Sequence, residues 1–137
     1  TLESLPSNQA HELVGKWVQC MPFVGYFVSV TPNDLIDGPL NLQLGLSAEL
    51  RYVGEFSLPI QPPVKAMMGG PGYQFTLAVE DLFSLTLEDL KPVLDHAAKR
   101  NCVVSDDVCF AIDAIEYRPG LPPLYYVQAR FPVRSVG

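Results

Sequence analysis

Apolar and polar residues alternate strictly from Leu40 to Tyr52, and this pattern constrains the fold more than any other feature of the sequence. The apolar positions are Leu40, Leu42, Leu44, Leu46, Ala48, Leu50 and Tyr52. Successive side chains of a β-strand point to opposite faces of its sheet, so these residues would share one face. The alternation therefore predicts a long, half-solvated strand of an antiparallel sheet.

Five other segments also have strand-like sequences. They are Lys16–Val30, Phe56–Ile60, Tyr73–Val79, Val108–Tyr117 and Leu124–Phe131. The first is apolar in both of its alternating sets, which indicates burial on both faces or one face in an interface. The last two are joined by a loop rich in proline and glycine, Arg118–Pro123. The chain is therefore predicted to be rich in sheet.

Two helices are predicted, one long and one short. The long helix covers Thr86–Asn101, where Thr86 and Asp89 have the spacing of a capping box and apolar residues recur at helical intervals. The short helix lies near the N-terminus, begins after Ser7 or Asn8, and ends at Gly15 in a left-handed conformation.

These elements predict an α+β fold. We expect an antiparallel or mixed sheet of five to six strands, one long helix packed on it, and a short N-terminal helix. A partly closed β-barrel is the alternative. The length of 137 residues is typical of one domain, so residues 1–137 are predicted to form a single domain.

The charge distribution argues against general nucleic-acid binding. The net charge is −6, whereas nucleic-acid binding requires a surface rich in lysine and arginine. The segment from Glu80 to Glu116 holds nine carboxylates and only three basic residues, so it carries the negative excess of the whole chain. We expect this acidic segment to face a basic partner.

Compartment is predicted from the cysteines and from hydropathy. The three cysteines (Cys20, Cys102 and Cys109) do not form an even disulfide framework, which favours a reducing compartment. No run of 18 apolar residues is present, so no membrane span is expected. The predicted localisation is cytoplasmic.

One set of acidic residues suggests metal chemistry. Glu88 lies at the start of the long helix, and Asp106 and Asp107 precede the next strand. Carboxylates placed in this way could converge on a hard divalent cation, Mg²⁺ or Mn²⁺. The set predicts a divalent-metal nuclease or phosphoesterase as an alternative to a protein without a cofactor.

This segment resembles the RusA-type Holliday-junction resolvases, in which Asp-x-Asp-Asn opens a helix and an Asp pair follows before a strand. In that comparison Glu88 takes the place of the second metal-binding Asp, and Asp107 that of the later one. The chain departs from the pattern at Thr86, Asp89 and Pro92, which stand in place of Asp, Asn and Lys. The resemblance covers about a quarter of the chain and implies metal-dependent nuclease activity.

The favoured prediction is a non-catalytic binding or assembly module that engages itself, as a homodimer, or another protein. It depends on the doubly apolar first strand and on the low charged content of 18%. Low surface charge often marks a face covered by another chain. The predicted contact residues are aromatic or methionine side chains: Phe23, Tyr26, Met67, Met68, Tyr125 and Tyr126.

Overall fold

The computed structural model describes residues 4–19, 25–55, 57, 64–66 and 69–136. Within the chain there are two compact units. The first combines Thr1–Tyr26 with Leu46–Gly69, and the second combines Phe27–Gly45 with Gly70–Gly137. The single domain expected from the length stays a prediction.

The described part of the first unit contains two helices, α1 (Ser7–Val18) and α2 (Leu50–Glu55). The predicted end of α1 at Gly15 is wrong, because the helix continues through this residue to Val18. Its N-cap is Pro6 rather than Ser7 or Asn8. An i,i+4 ion pair between Lys16 and Glu12, with 3.7 Å between Nζ and Oε1, spans Gly15 and supports the continued helix.

Among the described residues the sheet has six strands: β1 (Gly25–Val30), β2 (Gln43–Ser47), β3 (Gly72–Val79), β4 (Cys102–Val104), β5 (Val108–Glu116) and β6 (Leu124–Ser135). It is antiparallel and curled, in the order β2-β1-β5-β6-β3, with β4 paired to the end of β6. The sheet and the helices of the chain together confirm the predicted α+β class.

The strands β3, β6 and β5 form the most regular part of the sheet. Each residue of β3 pairs with one residue of β6, from Gly72 opposite Pro132 to Val79 opposite Tyr125. On its other side, β6 pairs with β5, with one irregularity between Ile112 and Ala114. The strands predicted at Tyr73–Val79, Val108–Tyr117 and Leu124–Phe131 are therefore confirmed.

The long helix, α3 (Leu87–Lys99), packs on one face of this sheet, as predicted. Leu90 is fully buried in a cluster that includes Phe110 of β5 and Phe131 of β6. We call this side of the sheet the helix-covered face. In β3 and β6 it carries Tyr73, Phe75, Leu77, Val79, Tyr125, Val127, Ala129 and Phe131.

The predicted strand from Leu40 to Tyr52 is wrong over most of its length. Only Gln43–Ser47 is strand, and Leu50 begins helix α2. Leu40 and Leu42 pack against the core, but Leu44 is 67% exposed. The alternation of apolar residues continues past the segment that packs against the core. Without that packing, the alternation alone does not keep the chain in a strand as far as Tyr52.

The first predicted strand is partly wrong, and the third lies almost entirely outside the described residues. In Lys16–Val30, residues up to Val18 belong to α1 and the strand covers only Gly25–Val30, while residues 20–24 lie outside the described part. The strand predicted at Phe56–Ile60 also lies outside it, except for Ser57, which is in a turn. The structure adds β4, which no pattern predicted.

Strands β4 and β5 pair with successive parts of β6. Val104 lies opposite Val133, and Cys109 lies opposite Arg130. Between these pairs the chain advances five residues along β4 and β5 but only three along β6. The connection Ser105–Asp107 therefore holds two extra residues, in the manner of a large bulge.

Candidate functional site at the β3 edge

β3 ends the strand order of the sheet, so the structure described for this chain leaves one of its edges without a neighbouring strand. Natural edge strands are usually protected from pairing by charged residues, prolines or bulges. β3 contains no charged residue and no proline, and its register against β6 has no bulge. It therefore presents a regular, uncharged row of backbone donors and acceptors.

The start of β3 is fixed by a close backbone contact. A Cβ atom placed on Gly72 would lie 2.7 Å from the carbonyl oxygen of Phe131 in β6. This distance is shorter than any ordinary contact, so only glycine fits at this point. The absence of a side chain lets the first residue of β3 join the ladder.

α3 runs antiparallel to β3 on the helix-covered face. Near its C-terminal end, the ring of His96 meets the ring of Tyr73 edge to face, with centroids 5.0 Å apart. Near its N-terminal end, Asp89 lines the same shallow depression as Val79. The two ends of β3 are thus flanked by opposite ends of one helix.

These two ends differ in charge. The end beside Val79, which we call the acidic end, carries Glu80, Asp81 and Asp89. Glu80 forms an ion pair with Arg118 (3.3 Å from Oε1 to Nη2). The end beside Tyr73, which we call the basic end, carries His96, Lys99 and Arg100. All six side chains are on exposed residues.

Most of the acidic end is ordered by local hydrogen bonds. Asp81 accepts hydrogen bonds from the backbone N–H of Phe83 (3.0 Å) and the hydroxyl of Ser84 (2.7 Å). These bonds cap a short 3₁₀ turn, Leu82–Ser84, which leads towards α3. The carboxylates of this end therefore keep a defined position beside the edge strand.

A polar side-chain contact lies on the sheet face opposite the helix. The hydroxyl of Tyr126 donates a hydrogen bond to Oε2 of Glu116 at 2.7 Å. This bond and the negative charge of Glu116 raise the pKa of Tyr126, burial adds to the rise, and the charge of Arg118 opposes it. The contact joins β5 to β6 beside the loop that connects them.

The predicted metal ligands do not form a cluster. Glu88 is exposed in the first turn of α3, whereas Asp106 and Asp107 lie in the connection between β4 and β5. Over the described ranges, no group of three His, Cys, Asp or Glu residues is arranged to hold a metal ion. The predicted Mg²⁺ or Mn²⁺ site and the implied nuclease activity gain no support from this geometry.

Three of the predicted partner-binding residues, Tyr26, Tyr125 and Tyr126, are in the described part of the chain. Tyr26 is 59% exposed in β1, while Tyr125 packs against the core. Tyr126 lies on the face opposite the helix and is bonded to Glu116. Phe23, Met67 and Met68 lie outside the described residues. Their role in partner binding stays a prediction.

Sequence reasoning did not identify the β3 edge as a site. Its signal was present, since Tyr73–Val79 is a strand pattern without a single charge. A sequence pattern does not show whether a strand lies at the centre or the edge of its sheet. That position depends on the pairing of β3 with β6, which is distant in the chain.

Comparison with known proteins supplies no family for the chain. No protein-family model, no curated protein and no solved structure matches it. In the described part of the chain, no helix is long and apolar enough to cross a membrane.

Proposed function

We propose that this protein is a non-catalytic binding module whose protein partner adds a β-strand to the edge of β3 that has no neighbouring strand among the described residues. The observation that carries the proposal is the uncharged, regular edge formed by Gly72–Val79. Strand addition to a sheet edge is a common mode of protein recognition, in which backbone hydrogen bonds supply affinity.

The side chains of β3 suit this mode. Tyr73, Phe75, Leu77 and Val79 lie on the helix-covered face and are only partly buried. A strand added beside them would extend their apolar layer and cover more of it. Burial of apolar surface contributes about 25 cal/mol per Å². Covering this apolar layer would therefore strengthen the binding that the backbone hydrogen bonds supply.

The test is a pair of lysine substitutions that differ in position relative to the edge. Thr76 of β3 and Ala111 of β5 both pair with Gln128 of β6, from opposite sides, and both are exposed. Thr76→Lys places a charge on the edge strand, which is the natural protection against strand addition. Ala111→Lys places the same charge on an interior strand.

The measurement is capture of binding partners by the tagged chain, quantified by mass spectrometry. We expect proteins retained by the wild type and by Ala111→Lys to be lost from Thr76→Lys. Equal retention by all three would contradict binding through the β3 edge. Circular dichroism of each variant controls for loss of the fold.

A further inference from the structure

We infer that the strand added to β3 is β3 of a second copy of this chain, paired antiparallel about a two-fold axis. This inference rests on the proposed function and names the partner for the same edge. Two-fold symmetric homodimers are the commonest oligomers, and they require a surface that is complementary to itself. β3 and the two ends of α3 meet this requirement.

The first requirement concerns the register. Directly opposed residues of an antiparallel pair lie on the same face of the sheet. A ladder centred on Thr76 places Tyr73 opposite Val79 of the partner subunit, and Phe75 opposite Leu77 of the partner subunit. In this register Gly72 is the only residue of β3 that stays outside the ladder, and it has no side chain to pair. The apolar layer of the helix-covered face then continues from one copy into the other.

The second requirement concerns charge within the strand. Like charges directly opposite each other destabilise a strand pair. No residue of β3 is charged, so no register of the two strands brings like charges together. At the centre of the ladder, Thr76 would face Thr76 of the partner subunit, and opposed threonines can form a hydrogen bond.

The third requirement concerns the ends of α3, and it selects the second copy as the occupant. Because Tyr73 lies beside the basic end and Val79 beside the acidic end, an antiparallel ladder brings the basic end of one copy towards the acidic end of the other. Two-fold symmetry produces this favourable approach twice. A parallel ladder would instead bring acidic end to acidic end.

The first test is sedimentation equilibrium of the purified chain over a range of concentrations up to millimolar. We expect a reversible dimer for the wild type and for Ala111→Lys. Thr76→Lys would place two ammonium groups next to each other at the axis, so its dimer dissociation constant should rise at least about tenfold. A wild type that stays monomeric, or a dimer unaffected by Thr76→Lys, would overturn the inference.

The second test examines the register by mild oxidation of variants that each add one cysteine to β3. Opposed residues at the axis have Cβ atoms about 5 Å apart, so Thr76→Cys should form a disulfide-linked dimer beyond the background of the unmodified chain. In Gln74→Cys the two positions would be separated by four residues along the strand, about 13 Å, and should not link. Equal linking of both variants would overturn the proposed register.

These tests distinguish a failure of the homodimer inference from a failure of the proposed function. If the chain is monomeric but captures another protein through an association that Thr76→Lys removes, the edge binds a different partner and only the second copy is rejected. If neither self-association nor capture depends on Thr76, both proposals fail.

Discussion

The carboxylate of Asp89 accepts two hydrogen bonds from Thr86, one from the backbone N–H at 2.9 Å and one from the hydroxyl at 3.1 Å. Both bonds close the first turn of α3. They satisfy a backbone donor that would otherwise lack a partner at the helix start. The start of the helix that covers the sheet is therefore fixed by a single acidic side chain.

Replacing Asp89 should distinguish the contribution of its hydrogen bonds to stability from the contribution of its charge alone. We expect Asp89→Ala to lower the free energy of unfolding by about 1–2 kcal/mol, since it removes the acceptor and a favourable charge near the helix dipole. Glu88→Ala removes a neighbouring charge of the same turn and should cost about 0.5 kcal/mol. Urea denaturation measures both values, and equal losses would show that the hydrogen bonds contribute nothing.

A second prediction compares two leucines of very different burial. Leu90 is fully buried, so Leu90→Ala should lower the free energy of unfolding by about 2–5 kcal/mol. Leu44 is 67% exposed, and Leu44→Ala should cost less than about 1 kcal/mol. Thermal or urea denaturation of the two variants gives the comparison. A large loss at Leu44 would instead support the long, half-solvated strand with a buried leucine face that the alternating sequence predicted.

Two glycines near the start of β3 provide a third prediction. Gly72→Ala would bring a methyl group to 2.7 Å from the carbonyl oxygen of Phe131, so the backbones must separate. We expect a loss of about 1–3 kcal/mol in the free energy of unfolding. Gly70→Ala is the matched control, because its added Cβ would meet no atom within 4 Å. If both substitutions are neutral, the close approach of β3 and β6 is not present in solution.

The fourth prediction concerns the titration of Tyr126. The hydrogen bond to Glu116 favours the protonated phenol, so the pKa of Tyr126 should lie above its ordinary value of 10.0. Glu116→Gln should lower this pKa, whereas Arg118→Gln should raise it. Tyrosine carbon chemical shifts, followed by NMR through the alkaline range and assigned with Tyr126→Phe, measure both directions. An unchanged value in both variants would contradict the contact.

The same shift has a consequence for stability. A pKa that is higher in the folded than in the unfolded state stabilises the fold wherever the phenol is protonated in both. This contribution is present below about pH 10 and is lost as the pH rises through the pKa of the folded state. The stability of the wild type relative to Tyr126→Phe, measured by urea denaturation, should therefore be constant below about pH 10 and fall as the pH rises above it.

The sequence predicted those elements whose local pattern agrees with their packing. In α3, the capping residues Thr86 and Asp89 and the buried Leu90 all indicate the same helix. In β3, each alternate apolar residue contacts the core, so the strand could be read from its period. Such agreement between local preference and packing is what makes a segment predictable.

The errors arose where local pattern and tertiary environment diverge. Leu44 continues an alternation that begins at Leu40, but the core does not extend over it. Glycine often ends a helix, yet the residues on both sides of Gly15 are helical and α1 continues to Val18. The β3 edge was missed for a related reason, because a strand's place in the sheet depends on residues about fifty positions away.

The two extra residues between β4 and β5 mark where the chain can change its length. Val104 and Cys109 keep separate registers against β6, so an insertion beside Asp106 changes neither ladder. The same insertion within β5 would turn every following side chain to the other side of the sheet. Homologous chains that acquire new loops would therefore be expected to carry them at this junction, while β6 stays constant in length.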